Sequence, residues 1–282
     1  MLPLSDFHSY VSSMADLNKL QALLEDMGSA VLGYSGGIDS AFLAVMGTRA
    51  LGPGRFLAVM GRSPSYPAVQ AENAQLIAQQ FNIPLLEIDT YELRDPRYLS
   101  NSTERCYFCK SELWTRLGQV ARDGGYQVVL DGTNADDLGE HRPGLRAAGE
   151  HRVRSPLAES GWSKADVRAG AHELGIPTWD APAAPCLSSR VVYGLEITSE
   201  RLRQVEQAEQ FLRHLGVTGD LRVRHHGRKA RVEVSAAEMD RVKTQWTAIR
   251  AALLELGFAE VELDPEGYRR GGLLAIASPA RD

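Results

Sequence analysis

Apolar and polar positions along the first half of the chain alternate between two periods. Residues 29–35 (SAVLGYS) form a short apolar run that reads as a buried strand, and Asp39 to Leu51 carries apolar residues at helical spacing, closed by Gly52 and Pro53. The same pair recurs down the chain. Residues 55–61, 85–89 and 127–131 read as strands, while 68–81 and 103–121 read as helices. Strands alternating with helices predict a parallel sheet covered by helices on both faces, because each parallel pair needs a long crossover. A further helix over 164–174 starts behind Ser163, with Asp166 placed for a reciprocal capping box. From Thr178 to Gly194 the stretch TWDAPAAPCLSSRVVYG holds too many prolines and small residues for regular structure, and it reads as a loop and hinge. Beyond it, 199–215 and 239–256 read as helices and 221–234 as two strands around Gly227. Residues 261–263 and 273–277 are candidate strands. The expected organisation is therefore an α/β domain over residues 1–195 and a small α+β domain over 196–282.

Composition narrows the setting. With 282 residues the chain suits one main domain and a smaller one, and 44% hydrophobic with 24% charged residues is ordinary globular usage. No apolar run approaches the roughly 20 residues that span a bilayer, so no membrane partner is expected. Met1 to Tyr10 mixes Ser, Asp and His with apolar residues, unlike a secretion signal, and the cytoplasm is the expectation. Thirty-one Lys and Arg against 36 Asp and Glu give a net charge of −5, which offers nucleic acid no general attraction. Three cysteines cannot all pair with one another, so metal binding or thiol chemistry becomes the question.

The segment Ser35-Gly36-Gly37-Ile38-Asp39-Ser40 joins the first strand to the first helix. Glycines there remove side chains where phosphate oxygens must approach backbone N–H groups, and the helix start adds partial positive charge. Ser35 and Ser40 add hydroxyl donors, and Asp39 is placed to hold Mg²⁺ beside the phosphates of ATP. No lysine follows, which excludes the GxxxxGK[ST] loop and its γ-phosphate chemistry. The plainer alternative is a tight turn before a capped helix. Asp131-Gly132-Thr133-Asn134 closes the fourth strand, with Asp136 and Asp137 following. Ligands of open parallel sheets sit beyond the carboxyl ends of strands, so Asp131 and Thr133 are candidate ATP contacts and Asp137 a second Mg²⁺ ligand. A solvated acidic turn is the alternative there.

SGGIDS resembles the SGGxDS signature of the PP-loop ATP pyrophosphatases, which have an adenine nucleotide alpha hydrolase-like fold and split ATP between its α and β phosphates. Further motifs narrow the resemblance. SGGIDS, Arg105-Cys106-Tyr107-Phe108-Cys109-Lys110, DGTNADD, Arg142-Pro143-Gly144, Arg154-Ser155-Pro156-Leu157, Pro185-Cys186-Leu187-Ser188-Ser189-Arg190 and Arg222-Val223-Arg224-His225 together are similar to the LarE type of ATP-dependent sulfur transferase, over essentially the whole chain. The resemblance implies an enzyme that adenylylates the carboxylates of pyridinium-3,5-biscarboxylic acid mononucleotide and converts them to thiocarboxylates for the nickel-pincer nucleotide cofactor. A homo-oligomer, a hexamer, is implied as well. The chemistry agrees: adenylylation gives a poor electrophile a leaving group, and a thiolate is a suitable attacking group.

By this resemblance Cys186 is the nucleophile or a sulfur ligand, with Ser189 and Arg190 beside it, and backbone near Val59 and Met60 contacts adenine. A plainly buried cysteine is the alternative at 186. Arg222 and Arg224 lie two apart on a strand, hence on one face, which suits the substrate phosphate as well as a solvated basic edge. Some family members surrender the sulfur of the cysteine matching Cys186 and keep dehydroalanine. Others carry a trio like Cys106, Cys109 and Cys186, thought to hold a [4Fe–4S] cluster that delivers sulfide. A redox dithiol, a zinc site and a plain helix terminus are alternatives for the CxxC. At the level of function the rivals are a tRNA-thiolating PP-loop enzyme, an amide-forming synthetase and a nucleotide-sensing module that does not split ATP.

Overall fold

A computed structural model describes residues 17–139, 143–182 and 185–269. Arg142 and the expected strand at 273–277 lie outside the described residues. In chain order the elements are α1 (residues 17–26), β1 (Ala30–Gly33), α2 (Ile38–Leu51), β2 (Phe56–Arg62), α3 (Ala68–Gln80), β3 (Leu85–Asp89), α4 (Pro96–Leu99), α5 (Arg105–Gly124), β4 (Val128–Leu130), α6 (Pro143–Glu150), α7 (Pro156–Glu159), α8 (Lys164–Glu173), α9 (Ser199–His214), β5 (Leu221–His226), β6 (Lys229–Val234), α10 (Met239–Thr244), α11 (Trp246–Glu255) and β7 (Glu260–Leu263). Among the described residues no helix is long and apolar enough to cross a membrane.

Packing divides the chain into two compact units. So far as they are described, residues 1–63, 68–91 and 106–183 make the first, and 64–67, 92–105 and 184–282 make the second. The first holds the expected parallel sheet, in the order β3-β2-β1-β4. From β1 the chain steps outward to β2 and β3, then returns across the sheet to β4. Right-handed crossovers in opposite directions place helices on opposite faces, and the reversal makes a switch point between β1 and β4. On one face Trp114, Leu117 and Ala121 of α5 recur at helical spacing and pack with Val31 of β1 and Val59 of β2. Near α2, Phe42 stacks at a tilt on Trp162, ring centroids 4.9 Å apart.

The second unit carries the sheet β5-β6-β7, with β5 and β6 antiparallel and β7 parallel to β6. Gly227, at φ 77°, turns the β5–β6 hairpin. Ala208 and Leu212 of α9, Val223 of β5, Val232 of β6 and Ile249 and Leu253 of α11 are fully buried in one core. The helix expected over 239–256 is two helices, broken at Gln245, whose backbone sits at φ −100° and ψ 10°. That residue's side-chain amide donates to the Leu215 carbonyl at 3.4 Å. The break lets Val242, before it, and Ile249, after it, both reach the core.

Two short excursions join this unit from the loops after β2 and β3: residues 64–67 and 92–105. The Cys186 segment packs with them.

Candidate active site

The loop after β1 is built by its own hydroxyls. Ser40 Oγ accepts from the Ser35 amide at 3.2 Å and donates to the Gly37 carbonyl at 3.0 Å, while the Ser35 and Ser40 hydroxyls lie 3.2 Å apart. Gly36 sits at φ 63°, where an L side chain is strained, and a Cβ there would lie 2.5 Å from that of Ala74. Gly37 differs: its backbone is extended, and a Cβ would meet only Ser35 Oγ, at 3.5 Å. Gly36 serves the fold, and Gly37 leaves space beside the helix start.

The loop after β4 closes on the same place. A Cβ on Gly132 would lie 2.9 Å from the Ser40 amide nitrogen, so the two loops touch backbone to backbone at the switch point. Asn134 donates to Asp39 Oδ1 at 3.2 Å, and Lys164 Nζ reaches Asp39 Oδ2 at 2.5 Å. Asp131 is buried, accepting from the Thr133 amide at 3.0 Å, the Thr133 hydroxyl at 2.9 Å and the Ser155 hydroxyl at 2.7 Å. Asp137 accepts from the Asn134 amide at 3.2 Å, and Asp136 from the Lys164 amide at 2.9 Å. Ser35, Gly36, Gly37, Asp39, Ser40, Asp131 and Thr133 are thus neighbours in one unit. Met60 is buried on β2 opposite Glu87 of β3. Since Val59 accepts from the Tyr34 amide at 2.9 Å, strand alternation turns Met60's backbone toward β3 and that of Val59 and Gly61 toward β1. Of the residues that hold the two key aspartates, Asn134 and Ser155 stood in recognised motifs without an assigned role, and Lys164 carried no role at all. For Lys164 its place one residue after a recognisable cap was the available signal.

In the second unit Cys186 precedes a short helical turn, Leu187–Arg190, and its carbonyl accepts from the Ser189 amide at 3.0 Å and hydroxyl at 2.7 Å. Three buried arginines grip this turn by its carbonyls. Arg190 donates to the carbonyls of Pro185 at 2.6 Å and Cys186 at 3.1 Å, Arg105 to Ser188 at 2.9 Å, and Arg224 to Ser189 at 2.9 Å. Arg190 engages the backbone of Cys186 through this contact, and its other edge is held bidentately by Glu209, at 2.9 and 3.0 Å.

Arg222 and Arg224 share a face of β5, but both are only 6% exposed, so the solvated basic edge is excluded. Arg224 pairs with Glu233 at 2.9 Å, and the Arg222 guanidinium lies 5.1 Å from the ring centre of Tyr268. Burial first, and then the charge of Arg190, press Arg222 below the usual guanidinium range. Three arginines and two glutamates gather here with Ser189, leaving one positive charge in excess: a setting that favours an anion. Glu209 and Glu233 carried no sequence signal as partners.

Cys106 and Cys109 stand three apart on the first turn of α5, neighbours on one helix face, and none of the three cysteines is in a disulfide. The two belong to the first unit and Cys186 to the second. Among the described residues no group of three or more His, Cys, Asp and Glu is gathered as a metal ion requires.

The NAD synthase family matches residues 16–106, a span holding the loop after β1 but ending before β4 and Cys186. Relatives cover far more. The chain is 41% identical over 259 residues to an uncharacterized protein of Synechocystis, covering 91% of this chain and 96% of that one. It is 33% identical over 241 residues to an uncharacterized protein of Methanocaldococcus jannaschii, covering 85% and 90%. Against the pyridinium-3,5-bisthiocarboxylic acid mononucleotide synthase of Lactiplantibacillus plantarum, identity is 34% over 252 residues, 89% of this chain and 91% of that protein. A span of that length includes both the loop at 35–40 and the arginine-held turn at 186–190, and the chain belongs to this LarE-type family of ATP-using, sulfur-transferring enzymes.

Proposed function

We propose that the chain activates the carboxylates of pyridinium-3,5-biscarboxylic acid mononucleotide with ATP and replaces one oxygen of each by sulfur, in nickel-pincer nucleotide cofactor biosynthesis in the cytoplasm. The observation that carries this reading is the 34% identity over 89% of the chain to a synthase named for that product. In the first half-reaction a substrate carboxylate oxygen attacks the α-phosphorus of ATP, the bond to the β-phosphate oxygen breaks, and pyrophosphate leaves. Ser35, Gly36, Gly37 and Ser40 present amides and hydroxyls to the phosphates, Met60 and its neighbours line the adenine side, and Asp131 and Thr133 brace the rim. In the second, the Cys186 thiolate attacks the acyl carbon, a C–S bond forms and AMP leaves. Loss of the Cys186 α-proton to a base then breaks the Cβ–Sγ bond, freeing the thiocarboxylate and leaving dehydroalanine. Arg222 and Arg224 hold the substrate's phosphate meanwhile, Ser189 and Arg190 act beside Cys186, and the residues from 196 onward supply that phosphate site and the contacts of a homo-hexamer.

Two inorganic groups belong to this reading. Asp39 and Asp137 offer hard oxygen donors suited to Mg²⁺, and the Asp39 side chain remains 22% exposed at the loop. Mg²⁺ would neutralise charge on the phosphates. The thiols of Cys106, Cys109 and Cys186, none of them in a disulfide, are the soft donors an iron–sulfur cluster takes, so the donor chemistry fits. A [4Fe–4S] cluster would supply sulfide and spare Cys186.

The test is anaerobic purification followed by assay of iron and labile sulfide, then turnover with Mg-ATP and the biscarboxylate nucleotide. AMP, pyrophosphate and thiocarboxylate should form together, and Cys186→Ser should abolish the thiocarboxylate. Full turnover by that variant would rule out sulfur passing through Cys186. Absence of pyrophosphate with every candidate substrate would favour a sensing module. Without iron, Cys186 should lose the mass of H₂S.

A further inference from the structure

The turn after Cys186 is held from outside by residues that none of the assignments above uses. In the excursion 92–105, Asn101 is fully buried in the left-handed region at φ 52°. Its side-chain nitrogen donates to the carbonyls of Val192 at 2.8 Å and Leu195 at 2.9 Å and lies 3.3 Å from that of Val191, while its oxygen accepts from Arg105 at 2.5 Å. The same Arg105 nitrogen donates to the Ser188 carbonyl, and its guanidinium lies 5.5 Å from the ring centre of Tyr193. Tyr98 closes the group, its hydroxyl 2.5 Å from that of the fully buried Ser188. Ser65, from the other excursion, accepts from the Leu187 amide at 2.8 Å. Chain from Cys186 to Leu195 is therefore pinned at these five carbonyl or amide groups by residues 83 or more positions earlier in sequence. Arg105 is also the first residue of α5, immediately before Cys106.

We propose that Arg105, seated by Asn101, is a positioning residue for the sulfur-transfer half-reaction: it fixes the backbone two residues after Cys186 and so aims the Cys186 thiol at the adenylylated carboxylate. The inference rests on the sulfur-transferase reading. A guanidinium can serve the Asn101 oxygen and a backbone carbonyl together and stay charged when buried, which methionine cannot do and lysine does with one donor head of different shape. The residue has no place in the ATP loop. Its loss should therefore leave adenylylation running while the acyl-adenylate, no longer met by a well-aimed thiolate, reacts with water. The acyl–oxygen bond then breaks, water supplies the new oxygen, and carboxylate and AMP are released without thiocarboxylate.

The experiment is a single turnover of the full-length protein, wild type, Arg105→Met and Arg105→Lys, measuring AMP and thiocarboxylate in the same sample. Alkylation of Cys186 by iodoacetamide is followed against pH in parallel, by peptide mass. Expected for Arg105→Met is AMP formation within about threefold of wild type, thiocarboxylate per AMP lowered tenfold or more, and an altered pH profile of Cys186 alkylation. Arg105→Lys should recover part of the ratio. Equal loss of AMP and thiocarboxylate in both variants marks a merely structural residue and overturns the proposal, as does an unchanged ratio with an unchanged alkylation profile. Should Arg105→Met not fold, Arg105→Lys decides alone, since a lowered ratio supports the proposal and a wild-type ratio overturns it. If the wild type itself forms AMP but no thiocarboxylate, the sulfur-transferase reading fails and the proposal falls with it, a result told apart by needing no variant.

Discussion

At the scale of single residues the two loop glycines make opposite predictions. Gly36→Ala meets two costs, a left-handed backbone that a side chain disfavours by about 1 kcal/mol and an inserted methyl against Ala74 costing about 1–3 kcal/mol. The new Cβ would stand 2.5 Å from the Cβ and 3.0 Å from the Cα of Ala74, and the latter, as backbone, cannot swing aside. Urea unfolding should show a loss of about 2–4 kcal/mol. Gly37→Ala places its methyl in ordinary contact with Ser35 Oγ, 3.5 Å away, at φ −69°, so stability should stay within about 0.5 kcal/mol. ATP affinity should nevertheless fall at least tenfold, read by calorimetry, because on the proposed function the methyl would stand where phosphate oxygens approach the amides. Unimpaired ATP binding by Gly37→Ala would place the phosphates elsewhere.

At the scale of elements, α8 shows what short-range pattern makes legible. Ser163 and Asp166 form the expected reciprocal box, each side chain accepting the other's backbone amide. The capped end then sets Lys164, whose amide meets Asp136 and whose ammonium meets Asp39. Ser163→Ala should lower stability by about 1 kcal/mol in thermal or urea melts and weaken Mg-ATP binding a few fold by loosening Lys164. If binding is untouched while stability drops, the cap has no part in the site. Strands, crossovers and this cap were readable because each depends on neighbours a few residues away. The loop at 178–194 read as a hinge for the same reason: its prolines are local, whereas Tyr98, Asn101 and Arg105, which pin its second half, lie some 90 residues earlier. Burial of Arg222 and Arg224 was likewise hidden, since it depends on Glu209 from α9 and Glu233 from the facing strand. The packed units reflect this, with residues 185–195 falling in the second unit, whereas the sequence suggested a line after 195.

At the scale of the molecule, stability should depend on pH above the range where carboxylates titrate. His225 on β5 is 2% exposed, bonded through Nε2 to Gln204 Oε1 at 2.9 Å, with Phe258 against its ring and no partner for Nδ1 among the described residues. Burial, helped by the charge of Arg201 and by His226, lowers its pKa to about 4. His226 is lowered too, by burial first and then by Arg231 and Lys229. Between pH 6.5 and 4 the unfolded chain therefore binds a proton at His225 that the folded protein refuses, so stability is full above pH 6.5 and falls as pH drops through that window. At pH 4.5 the shift amounts to about 2.5 kcal/mol from His225 alone. Glu262 and Glu238, both held below the usual carboxylate range by hydrogen bonds from Arg231 and Thr218 respectively, add their losses only below about pH 4.5. Urea melts of wild type and His225→Gln at pH 7.5, 6.0 and 5.0 separate the contributions. Wild type should weaken steadily across the series, and the variant, less stable at pH 7.5, should lose much less on acidification because of the two β5 histidines His226 alone remains. Parallel slopes for the two proteins would mean that His225 takes up its proton in the folded state, and the β5 core would then have to be open to water.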